Sequence, residues 1–129
     1  MGRKTIKILT GPHGKVVFYV DTQCISNIIE YLLQPENFKE FRIIVELLFE
    51  NKRNAEKYCK ADVSDKAHEM FEMRFTSKMK NDRIYCKEIH ISGKRSIILA
   101  DLFIGKSTQK ISKEQKNRIT MIGGYEYEI

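Results

Sequence analysis

The spacing of apolar residues changes once along this chain, and that change limits the folds open to it. Between residues 21 and 50 they recur at helical intervals. Ile25, Ile28, Ile29, Leu32 and Leu33 form one stripe; Phe38, Phe41, Ile44, Val45, Leu48 and Phe49 form another, with Glu40, Arg42, Glu46 and Glu50 on the wet side. From Glu69 onward, alternation takes over. Phe71, Met73 and Phe75 alternate with Glu72, Arg74 and Thr76, and then Ile84 and Cys86 alternate with Arg83, Tyr85 and Lys87. Arg95 to Ile104 is apolar on both faces, as a central strand is. Helices followed by consecutive strands in 129 residues predict one α+β domain spanning 1–129.

The boundaries follow from local chemistry. Residues 1–21 read as two short strands around the turn Thr10-Gly11-Pro12-His13-Gly14, with Asp21 as the cap of the first helix. Pro35 suits the first turn of the second helix, and Asn51 to Cys59 extend it, so that helices occupy 22–60. Residues 69–105 predict three antiparallel strands joined by the charged turn Lys78 to Asp82 and by Ser92-Gly93. A short helix is expected over 112–122, ended by Gly123-Gly124.

Charge divides the chain unevenly. Residues 1–73 are neutral, whereas 74–118 carry twelve basic side chains against four acidic ones. A basic segment of this kind points to a polyanion, RNA or DNA phosphate, as the partner. On the alternating pattern, Arg74, Arg83, Tyr85 and Lys87 share one polar face, with Arg83 an exposed cation opposite Ile84 and Cys86. Two guanidinium groups there can clamp phosphate oxygens, and Tyr85 offers a stacking surface or a phenol hydrogen bond. Lys78, Lys80, Lys106 and Lys110 would extend this RNA-binding face.

Other chemistries find less support. Cys24, Cys59 and Cys86 are an odd, dispersed set with no CxxC, which fits a reducing cytoplasm and neither a disulfide scaffold nor a zinc site. His13, His68 and His90 are not brought together by any pattern, and only His90 lies in the basic half. No phosphate loop or other cofactor motif occurs, and no apolar run approaches the roughly 20 residues of a membrane span. Neither a metal, a small-molecule cofactor nor a membrane is expected.

From about residue 69 to 120 the chain resembles the RelE/HigB-type toxins of bacterial toxin-antitoxin pairs, a superfamily that also contains ParE. The resemblance rests on Glu72-Met73-Arg74-Phe75, Asn81-Asp82-Arg83-Ile84-Tyr85, the apolar strand Ile97 to Phe103, and Gly105-Lys106-Ser107-Thr108-Gln109-Lys110 before a polar helix. HigB-like members carry corresponding pieces in this order, although they often have proline where this chain has Ser112. The resemblance implies a RelE-like α+β fold, with helices on one face of a small, mainly antiparallel sheet and a short C-terminal helix. It implies an endoribonuclease that cleaves mRNA on the ribosome without a metal and is neutralised by a cognate antitoxin. Arg74, Arg83 and Tyr85 become the expected catalytic residues. Two other functions suit the same fold: a catalytically silent nucleic-acid-binding protein, and a ParE-like inhibitor of gyrase.

Overall fold

The computed structural model describes residues 2–61, 69–105 and 112–129. Strand β1 (Arg3–Thr10) and strand β2 (Val16–Asp21) form a hairpin around the short 3-10 turn Pro12–Gly14. Helix α1 (Ile25–Leu32) and helix α2 (Pro35–Phe49) follow. Then come strands β3 (Tyr58–Lys60), β4 (Met70–Phe75), β5 (Asp82–Ile91) and β6 (Lys94–Phe103), helix α3 (Lys113–Gly123) and the two-residue strand β7 (Tyr127–Glu128). The fold is α+β.

The strands form one sheet in the order β3-β4-β5-β6-β2-β1-β7. Strands β3 to β6 run antiparallel to their neighbours, as do β1 and β2, but β6 lies parallel to β2 and β7 parallel to β1. The sheet is therefore mixed, which corrects the expectation of a mainly antiparallel one. The parallel β2/β6 junction arises because α1 and α2 carry the chain across the sheet from one of its strands to the other side.

A second correction concerns the layers. Helices α1 and α2 cover one face, where Ile28, Leu32, Phe41, Ile44 and Leu48 pack on Phe18, Met73, Phe75, Ile84, Cys86, Ile97 and Leu99. Helix α3 covers the opposite face, its Ile119 and Ile122 packing with Met70, Tyr85 and Ala100. Helices thus lie on both faces rather than one. Ile98 and Ala100 of β6, with Met70 of β4 and Tyr85 of β5, are buried on or beside the second face, so each side of the sheet needs its own cover.

Local signals account for most boundaries. Gln34 is extended before Pro35, which opens α2. Ser112 caps α3 in a reciprocal capping box with Gln115, the backbone amide of each residue donating to the other's side chain. A proline at 112 would lack the amide that donates to Gln115. Two boundaries differ from expectation. Asp21 ends β2 instead of capping α1; its buried carboxylate accepts from Arg3 Nε, the Tyr127 hydroxyl and the Gln23 amide at 2.8, 2.8 and 2.9 Å, tying both ends of the chain to the sheet. Helix α2 stops at Phe49 because Asn51 takes a left-handed φ of 55°, and residues 58–60 become an edge strand rather than more helix. Among the described residues no helix is long and apolar enough to cross a membrane.

Gly105, just beyond β6, lies against β5's start. Its amide donates to Asp82 Oδ1 at 3.1 Å, and a Cβ built on it would stand 1.8 Å from the Asn81 carbonyl oxygen. Because that neighbour is backbone, Gly105→Ala is expected to cost about 1–3 kcal/mol or more, read as a lowered urea midpoint. An unchanged midpoint would show that the two segments are not locked together.

Candidate nucleic-acid interface

Strands β4 and β5 pair in a register that sets Arg74 opposite Arg83, Glu72 opposite Tyr85 and Met70 opposite Lys87. The alternation foreseen in the sequence therefore does bring Arg74, Arg83 and Tyr85 to one face. The centre of the cluster is Glu72, a polar-row residue of β4 that was not among the expected site residues and is 2% exposed. Its Oε1 accepts from Arg74 Nε and Nη2 at 2.8 and 2.6 Å, and its Oε2 accepts from Arg83 Nη1 at 3.1 Å. Glu72 stands two residues before Arg74 on the same strand face, and this spacing was the available signal.

The face is not open. Arg83, Tyr85 and Lys87 are 6%, 0% and 7% exposed, with Tyr85 beneath α3 and Lys87 against the chain that ends it, correcting the expectation of Arg83 as an exposed cation. The Tyr85 hydroxyl accepts from Gln115 Nε2 at 2.9 Å, and burial holds the phenol above its ordinary range, so it stays neutral. Lys87 Nζ donates to the carbonyls of Gly123 and Tyr125 at 3.0 and 2.5 Å, where it fastens the end of α3. Arg74 is the accessible member, its side chain 35% exposed. Burial works against the Arg74 charge, but the hydrogen bonds and negative charge of Glu72 outweigh it and raise the pKa.

The remaining candidates lie elsewhere. Lys78 pairs with Glu36, and Lys80 donates to Asn37 Oδ1 while lying over the Tyr31 ring, so both turn toward α2. Lys106 and Lys110 fall outside the described residues. Two guanidinium groups around one carboxylate leave one net positive charge in the cluster. Arg83 Nε is buried and has no hydrogen-bond partner among the described residues. Such an arrangement can hold one oxyanion at Arg74 in a forked contact, with Arg83 fixed behind it.

A second buried carboxylate organises the other face. Glu88 accepts from Arg95 Nε and Nη2 at 2.8 and 2.7 Å and from the Tyr58 hydroxyl at 2.5 Å, and His90 Nε2 lies 3.0 Å away. Burial pushes the Glu88 carboxyl up, yet these hydrogen bonds and the Arg95 charge hold it below its usual range. A lowered folded-state pKa stabilises the fold fully above the unfolded value of about 4.3, and that contribution disappears as pH falls through the folded value. Urea unfolding between pH 7 and 3 should show stability falling below about pH 4.3, and Glu88→Gln should flatten this part of the profile. A wild-type profile no steeper than that of the variant would show that the ion pair adds nothing.

Among the described residues, no group of three or more His, Cys, Asp or Glu side chains is placed to hold a metal ion. Compared with protein-family models, with curated proteins and with solved structures, the chain matches none.

Proposed function

We propose that this chain is a RelE/HigB-like toxin, an endoribonuclease that cleaves mRNA on the ribosome and is held in check by a cognate antitoxin. The observation that carries this reading is the Arg74–Glu72–Arg83 cluster: two arginines from adjacent strands share one buried carboxylate, and one of them remains accessible. In RNA cleavage the 2′-oxygen attacks the adjacent phosphorus as its proton passes to a base. The bond from phosphorus to the 5′-oxygen then breaks, and that oxygen takes up a proton. Negative charge builds on the non-bridging oxygens between these events, and a fixed guanidinium stabilises it without reorganisation. Arg74 is assigned that contact. Arg83 and Tyr85, both buried, are positioning residues: Arg83 fixes Glu72, and Glu72 fixes Arg74.

The burial of Arg83, Tyr85 and Lys87 favours one alternative, a nucleic-acid-binding protein without catalysis, in which the same cluster only stabilises the sheet. Expression from a tightly repressed promoter, followed by mapping of RNA ends, separates the two. The toxin reading expects new ends within coding sequences and growth arrest that a co-expressed antitoxin relieves. Normal growth with unchanged RNA ends at full expression would overturn it.

A further inference from the structure

On the α2 side of the sheet, the chain leaving α2 and strands β3 to β6 enclose a cavity of about 580 Å³, within the range of about 300–1,000 Å³ typical of small-molecule sites. Its floor is apolar, with Leu47, Leu48 and Phe71. Its polar wall is the Glu88 group already described. Arg95 neutralises that carboxylate, which is 3% exposed and serves to hold the His90 imidazole, itself 66% exposed, at the cavity's edge. Two further cations line the cavity, Arg53 and Lys60; both are exposed, and neither has an ion pair among the described residues. Lys52 also lines it but is paired with Glu50 at 2.8 Å. Among the described lining residues the surplus charge is therefore positive. Asn54 accepts the Glu56 amide with its side-chain oxygen, leaving its NH₂ group to donate.

A flat ring to stack on, an apolar floor, an amide donor and two separated cations together match one ligand class, an aromatic base carrying a phosphate. We propose that this cavity holds one nucleotide unit of RNA, its phosphate on Arg53 and Lys60 and its base between the His90 ring and the apolar floor. The proposal rests on the RNA-directed reading above and extends it. Strand β3 connects the two places: Tyr58, Cys59 and Lys60 line the cavity, and Cys59 also contacts Glu72, its Sγ 3.5 Å from Oε1. One edge strand thus separates the cavity from the Arg74 cluster, and an RNA strand crossing that edge meets both.

The test is an NMR titration of the full chain, following the His90 ring signals. The probes are the four nucleoside 5′-monophosphates, a 2′-O-methylated oligoribonucleotide that cannot be cleaved, and inorganic phosphate. Nucleotides should shift the His90 signals saturably, and phosphate alone should bind at least tenfold more weakly. Arg53→Ser combined with Lys60→Ser should raise the Kd at least tenfold with an unchanged melting temperature, since both side chains are exposed. If the ligand is a unit of RNA, the oligonucleotide binds at least tenfold tighter than any mononucleotide, and Arg74→Ala weakens only the oligonucleotide. Equal affinity for mononucleotide and oligonucleotide would overturn the RNA assignment in favour of a free nucleotide. No shift at His90, or unchanged binding by the double variant, would overturn the site itself. The titration reads binding and not cleavage, so a chain that binds nucleotides here yet leaves cellular RNA intact would sink the endoribonuclease reading alone.

Discussion

Replacing Glu72 by alanine is expected to destabilise the fold by about 3–5 kcal/mol, the cost of breaking a buried ion pair from one side. The carboxylate is 2% exposed, and it is the acidic group between Arg74 and Arg83. Its loss leaves the Arg83 guanidinium buried, with Asn81 Oδ1 at 3.3 Å as a neutral acceptor and Arg74 as a like-charged neighbour. Glu72→Gln keeps an acceptor oxygen and the shape but not the charge, and should lose less. Arg83→Ala should also lose less than Glu72→Ala, because Arg74 still pairs the carboxylate. It should nevertheless exceed the roughly 0.5 kcal/mol typical of an exposed site. Urea unfolding of the three variants gives the order directly; a loss under about 1 kcal/mol for Glu72→Ala would mean that water reaches the cluster and screens it.

Arg74→Ala is expected to act on the reaction and hardly on the fold. Its side chain is partly exposed, so the salt bridge it makes is worth up to about 1 kcal/mol, and Arg83 remains to neutralise Glu72. If Arg74 is the contact to the non-bridging phosphate oxygens, its removal should slow RNA cleavage on the order of 10²-fold or more. Arg74→Lys restores the charge but not the planar fork, and should recover only part of the rate. Cleavage assays on purified variants at matched folded fraction decide this. Full activity in Arg74→Ala would remove the cluster from the chemistry and leave it as a sheet-stabilising network.

The apolar stripes over residues 25–33 and 38–49 and the alternation over 70–75 and 82–87 determined helix and strand by themselves, because a period is a local property that survives any tertiary arrangement. The same alternation determined that Arg74, Arg83 and Tyr85 would share a face. Whether that face met water was not a local property. Arg83 and Lys87 read as wet because they are charged. Only tertiary packing, with the carbonyls of Gly123 and Tyr125 on Lys87 and Glu72 of the adjacent strand on Arg83, decided that they are buried. Likewise, nothing local pairs Glu72 with an arginine eleven residues away or assembles Tyr58, Glu88, His90 and Arg95. The sequence alone determined which residues carry charge and on which side of a strand they stand; tertiary packing decided which of those charges must find a partner, since only removal from water makes an unpaired charge costly.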